Sequence, residues 1–312
     1  MIIQTGMRTD IPAFYSEWFA NRLKEGYVLT RNPYNPTSVT KYSLKPDVVD
    51  LIAFCSKNPG PMLKYMDLLT PYAGTYWFVT ITPYGRDYEP YVPKIDRVIE
   101  DFKTISSIVG PDSMGWRYDP IFVNTDYTVE KHLEMFEYIA ERLEGCTKTC
   151  VISFIDLYQK VRKNFPDVRR VAEADRLYLG EHMVKLAGNY GMTVKPCAEG
   201  PELEQFGADC RGCMTKDVYE KAIGLSMDFP KKKSLRTECE CFMGNDIGAY
   251  NTCPHMCRYC YANYDEMIVR ENYRHHDPKS PFITGGSLPE DVIHQAEQKS
   301  YINGQMTLDL FL

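Results

Sequence analysis

Cys253, Cys257 and Cys260 fall within the stretch "NTCPHMCRYCYANY" (251–264), spaced Cys-x3-Cys-x2-Cys, with Tyr259 directly before the third. Thiols this close point to a metal centre, because iron–sulfur clusters and zinc both bind the thiolate and lower its pKa to do so. A zinc knuckle supplies paired Cys-x2-Cys hooks that complete a tetrahedron. Three cysteines at this spacing instead wrap one face of a 4Fe–4S cubane and leave the fourth iron open to a ligand. A cluster closed by a remote fourth cysteine, and zinc, stand as the alternatives.

The chain has 11 cysteines, and seven fall between residues 210 and 260. Cys197, Cys213, Cys239 and Cys241 are candidates for a second site, an auxiliary cluster or zinc, with Cys210 as substitute. Cys239-Glu240-Cys241 puts two thiols on one side of an extended segment. One of these cysteines capping the triad's open iron would remove its vacancy. Cys55, Cys146 and Cys150 are isolated and read as small buried hydrophobes. The N-terminus "MIIQTGMRTD" lacks the basic and apolar regions of a signal peptide, so a cytoplasmic protein is expected, with metal rather than disulfides holding clustered thiols. No apolar run approaches the roughly 20 residues of a membrane span, so no membrane partner is expected. Net charge is −6, with Lys231-Lys232-Lys233 the one compact basic run, which excludes a global field for nucleic acid.

Six strand–helix units must position these groups. The strands are expected at 1–6, 48–55, 76–82, 115–123, 149–155 and 192–199, with a helical pattern after each of the first five. Gly26 suits the stop of the first helix. The alternation predicts an α/β chain, taken as a partial (βα)6 TIM-like barrel over 1–200. A loop-rich, cysteine-rich region over 201–300 caps it, and 301–312 is a tail. A helix is expected in "LPEDVIHQAEQK", with Ser287 as N-cap. Active sites in parallel α/β folds lie at the C-terminal ends of the strands. Polar residues there are Arg8, Asp10, Ser56, Lys57, Asn58, Thr80, Thr82, Arg117, Asp119, Ser153, Asp156, Cys197 and Glu199. Lys57, Arg117 and Asp119 are the expected catalytic pocket, and Asp10 and Glu199 join Tyr259 as cofactor-binding candidates. Arg117 and Asp119, two apart on a strand, face the same side and could equally pair with each other.

The triad with its aromatic resembles the radical S-adenosylmethionine enzymes. The resemblance implies a 4Fe–4S cluster on Cys253, Cys257 and Cys260, S-adenosylmethionine on the open iron, and Tyr259 against the adenine. It also implies a reductant such as flavodoxin or ferredoxin, and chemistry through a 5′-deoxyadenosyl radical. In that superfamily the triad follows the first barrel strand; here it follows six strand–helix units. The segments "RTDIPAFY" (8–15), "KNPGPM" (57–62), "RYDPI" (117–121), "CAE" (197–199) and "DIGAYNTCPHMCRYCYA" (246–262) resemble a bacterial domain family of unknown function with a C-terminal radical-SAM-like cysteine cluster. That family implies no substrate.

The tail "QMTLDLF" (305–311) resembles the peptide with which replication and repair proteins dock on the DNA sliding clamp. Gln305, Met306, Leu308, Leu310 and Phe311 would fill the clamp groove, which turns the expected substrate toward DNA repair or nucleic-acid modification. The competing expectation is an apolar end packed on the protein's own core. The competing function is a non-catalytic iron–sulfur electron-transfer or structural metal-binding protein.

Overall fold

The computed structural model describes residues 1–230 and 241–306. Its strands are β1 (Ile2–Gln4), β2 (Tyr27–Asn32), β3 (Asn35–Ser43), β4 (Leu51–Ser56), β5 (Gly74–Thr80), β6 (Met114–Ile121), β7 (Thr149–Phe154), β8 (Thr193–Pro196), β9 (Leu225–Met227), β10 (Asn245–Asp246), β11 (Val292–Gln295) and β12 (Ile302–Met306). Its α-helices are α1 (Ile11–Phe14), α2 (Ser16–Glu25), α3 (Ile95–Val109), α4 (Val129–Arg142), α5 (Gln159–Asn164), α6 (Glu173–Asn189), α7 (Lys216–Ile223) and α8 (Glu266–Arg274).

All six expected strands form, as β1, β4, β5, β6, β7 and β8. The first helical segment divides at Tyr15 into α1 and α2, and Gly26 ends α2 at φ 76°. That left-handed conformation costs glycine nothing. The segment after β4 is a 3-10 helix, Gly60–Leu69.

The main sheet has seven strands in the order β10-β1-β4-β5-β6-β7-β8, and every pair is parallel. From β1 to β8 the spatial order follows the chain, which is barrel-like winding without the reversal of a doubly wound sheet. The sheet stays open, so the expected TIM-like barrel does not close: β8 and β10 are its two edges. They offer four and two residues respectively. The space that closure would enclose is filled by side chains.

Alternation along the strands produces two faces. Ile52, Phe54, Trp77, Val79, Trp116, Tyr118, Ile152 and Val194 pack with α2, α3, α4 and α6 in the larger core. Ile2, Leu51, Ala53, Tyr76, Phe78 and Val151 face the other way, onto Cys213, Met214, Val218, Tyr219, Met227 and Phe242. The cysteine-rich region therefore plugs the inner face of the sheet.

The regions expected as 201–300 and 301–312 are interleaved with the first 200 residues. β10 pairs with β1, and the Met1 ammonium donates to Lys299 O at 2.8 Å. The helix expected over 288–299 is absent. Its middle is β11, paired in parallel with β3 from Val292↔Ser38 to Gln295↔Lys41. β-branched Val292 and Ile293 suit an edge strand, and the exposed edge of the β2–β3 hairpin offers the backbone partners a lone weak helix lacks. Ser287 accordingly caps no helix. Asp291 instead accepts from Leu288 N (2.8 Å) and pairs with Arg31. Among the described residues no helix is long and apolar enough to cross a membrane.

Candidate metal and catalytic site

The triad loop leaves the C-terminal end of β10 and runs into α8, so β10, loop and α8 form a further strand–loop–helix unit. Two residues in this loop, Asn251 (φ 55°) and Met256 (φ 57°), adopt the left-handed conformation that turns the chain sharply. Cys260 N donates to Cys257 O at 3.0 Å, and Ala262 N donates to Cys260 Sγ at 3.3 Å. The three thiols are half-buried by accessible surface, and burial raises the pKa of each above the ordinary cysteine value. A cation that ligates them must therefore displace protons.

Side chains from elsewhere, and one from the loop itself, hold it in place. Asp10 takes four donors: Ala13 N (3.0 Å) and Ser56 Oγ (2.7 Å) on one oxygen, and Lys57 N (2.8 Å) and His255 Nε2 (2.9 Å) on the other. One carboxylate thus caps α1, closes the end of β4 and tethers the middle of the triad loop. Tyr15 donates its hydroxyl to Thr252 O. Asn263 Nδ2 donates to Cys253 O at 2.8 Å, and its buried Oδ1 has no hydrogen-bond partner.

Tyr259 is buried beside Tyr84 and Phe122, at ring separations of 5.7 and 6.2 Å, and donates its hydroxyl to Glu89. Glu89 also accepts from Thr82 Oγ1 (2.7 Å) and Lys57 Nζ (2.8 Å), while the Lys57 ammonium stands 5.5 Å from the Tyr259 ring centre. Burial, the largest single influence, would lower the Lys57 pKa, but Glu89, Cys257 and Asp119 together hold it above its ordinary value.

Arg117 and Asp119 both face the inner side of β6 and pair with each other, Arg117 Nε donating to Asp119 Oδ2 at 3.1 Å. Ser153 donates to the other Asp119 oxygen. Burial pushes Asp119 up, and Arg117, Ser153 and Lys57 together hold it below the usual carboxylate range. Lys57 lies within electrostatic reach of both Cys257 and Asp119.

Glu199 sits at the end of β8 and accepts from Phe154 N (2.8 Å) and Arg176 Nη2 (2.9 Å). Burial raises it to about 7 against those two donors. Cys197, Cys213 and Cys241 form a group of their own: Cys213 Sγ is 4.0 Å from Cys197 Sγ and 3.9 Å from Cys241 Sγ. Cys239 and Lys231-Lys232-Lys233 lie outside the described residues, as do Leu308, Leu310 and Phe311 of the tail. Cys210 and Cys146 are partly exposed, Cys55 lies on the inner face, and Cys150 is fully buried in the larger core. Among the described residues, no three His, Cys, Asp or Glu side chains converge on one ion-sized position. The thiolates of a cubane need no such point, because each binds a different iron.

Glu89, His255, Tyr15 and Asn263 escaped the sequence reading. His255 sits inside the triad's own spacing, "CPHMC", and Glu89 is an acidic residue in the aromatic, proline-rich run "YGRDYEPYVP". Both are visible as residues. Their partners are 245 and 32 positions away, at Asp10 and Lys57.

Fold and site define a parallel α/β protein with a three-cysteine loop at the C-terminal edge of an open sheet. The chain belongs to the family described as Domain of unknown function (DUF1848), whose profile matches residues 2–262. The match spans the whole main sheet and the triad, ending before α8. No curated protein and no solved structure matches the chain.

Proposed function

We propose that the protein is a radical S-adenosylmethionine enzyme whose 4Fe–4S cluster is held by Cys253, Cys257 and Cys260. The observation that carries the reading is the place of the triad loop in space. Although late in the chain, it follows β10, the first strand of the sheet by spatial order, and leads into a helix. The resemblance expects that strand–loop–helix setting, reached here by a chain that begins at the neighbouring strand.

With S-adenosylmethionine bound, the cluster supplies one-electron reductive cleavage of the sulfonium. The chain's own residues have separate tasks. Asp10, through His255, fixes the loop against the strand ends, and Asn263, through Cys253 O, ties the loop to itself. The orphaned Oδ1 of Asn263 is a ready acceptor beside the thiols. Tyr259, with Tyr84 and Phe122, walls off one side from water. Lys57 keeps its proton against burial because Glu89 is beside it, and so presents a cation to a substrate or cofactor carboxylate. Arg117, Asp119 and Ser153, bonded to one another at the inner ends of β6 and β7, are the polar group we assign to the substrate.

The sliding-clamp partnership rests on the sequence of the tail. Here Ile302 pairs with Met227 and Met306 with Leu225, so docking Gln305 to Phe311 would peel part of β12 from β9.

The test uses anaerobically reconstituted protein. The expected result is a reducible cluster whose EPR signal changes when S-adenosylmethionine is added, with 5′-deoxyadenosine released under dithionite. An unchanged signal and no cleavage would leave the electron-transfer alternative standing instead.

A further inference from the structure

We propose that Cys197, Cys213 and Cys241 supply three of the four ligands of a single tetrahedral zinc-type ion that staples the cysteine-rich segment beneath the inner face of the sheet. The sulfur separations decide between one ion and a second cluster. Thiolates about 2.3 Å from one zinc stand roughly 3.8 Å apart. The separations of 4.0 Å (Cys197–Cys213) and 3.9 Å (Cys213–Cys241) match two edges of that tetrahedron. Cubane thiolates, each on its own iron, lie at the corners of a much larger figure. Three sulfurs also select a soft ion over magnesium or calcium, which want oxygen.

The surroundings are built for close sulfur approach. Cys197 follows the end of β8, where its N–H donates to Ile152 O at 2.8 Å. Gly212 precedes Cys213 at φ 133°, and a Cβ there would stand 2.9 Å from Cys241 Sγ. Glycine is thus required both by its conformation and by the sulfur beside it. Met214 N donates to Cys241 Sγ at 3.2 Å, and Arg117 Nη1 reaches Cys213 Sγ at 3.8 Å. These outer donors are of the kind that orient thiolate ligands and offset their charge. As they stand the three sulfurs do not converge on one point, so binding would draw Cys197 and Cys241 together around Cys213, closing the third edge, with release of the thiol protons. The ion would join the end of β8 to the segment that packs under β1, β4 and β5.

The experiment uses the full chain with Cys253, Cys257 and Cys260 all changed to Ser, so that it stands or falls independently of the radical reading. Purified anaerobically from zinc-supplemented cells, this variant should hold about one zinc per chain by mass spectrometry, falling to roughly a tenth or less when Cys213→Ser is added. Growth with cobalt should give the visible absorption of tetrahedral cobalt–thiolate. That measurement decides the matter even if the Cys213 variant does not fold. A zinc-free triple-serine protein, an octahedral cobalt spectrum, or retained iron and inorganic sulfide would each overturn the proposal.

Discussion

The two thiol groups differ in what holds them. In the triad loop, Cys253, Cys257 and Cys260 are spaced by the chain itself, steadied from outside by Asp10 and Tyr15 and from within by Asn263. In the inner group, Cys197, Cys213 and Cys241 come from three separate segments, and Cys213 touches each of the other two. A loop of thiols held apart at a strand-end edge suits a cluster that must stay open to a ligand. Thiols in contact beneath a sheet suit a closed ion that ties segments together. Arg117 stands between the two, paired with Asp119 near Lys57 and reaching toward Cys213.

The largest effect should come from replacing Cys253, Cys257 and Cys260 by Ser. Iron, sulfide and 5′-deoxyadenosine release should all disappear while the fold persists by circular dichroism. Loss of the inner group's ion from the same variant would mean the two groups are one site.

Asp10→Ala should follow in size. It strands buried donors on α1, β4 and His255, at a cost of about 3 kcal/mol in chemical denaturation. The triad's iron should leak while the inner ion stays. Equal loss from both groups would show that Asp10 supports the fold at large rather than the loop.

Acid separates metal loss from unfolding. His132 is fully buried; its Nε2–H donates to Phe122 O at 2.8 Å and its Nδ1 accepts from Tyr118 at 2.9 Å. Burial lowers its pKa from 6.5 to about 4. Because the folded state prefers the neutral ring, this stability is complete above about pH 6.5 and drains as pH falls toward 4. Roughly 2 kcal/mol should be gone by pH 5. Glu199, raised to about 7 by burial, gains stability over the same interval and opposes it, so urea curves at pH 7 and pH 5 read the His132 share as the difference in slope between wild type and His132→Gln. A wild-type slope no steeper than that variant's would refute the assignment.

Deleting 305–312 should cost least, within about 1 kcal/mol of stability, and leave both metal groups loaded. It should abolish capture by a sliding clamp, and retained capture would count against the tail reading.

Periodicity along the chain was enough to find β1, β4, β5, β6, β7 and β8 and most of their helices, because strand and helix each repeat on a local scale. Gly26 and the Cys-x3-Cys-x2-Cys spacing are local for the same reason. The segment 288–299 misled because a weak helical pattern there competes with the free edge of β3, some 250 residues earlier. A two-residue strand such as β10 has no period to detect; only its pairing with β1 defines it. The Lys57–Glu89–Tyr259 contact was likewise hidden, since its members lie on three segments that meet only when the sheet forms. Sequence alone thus determined six strands of the main sheet, most of their helices and the three thiols of the triad. Tertiary structure decided that the triad loop follows the sheet's edge strand, that the sheet stays open over a cysteine-rich plug, and which of the remaining thiols meet. Pairing and packing depend on partners far along the chain, and no local pattern carries that information.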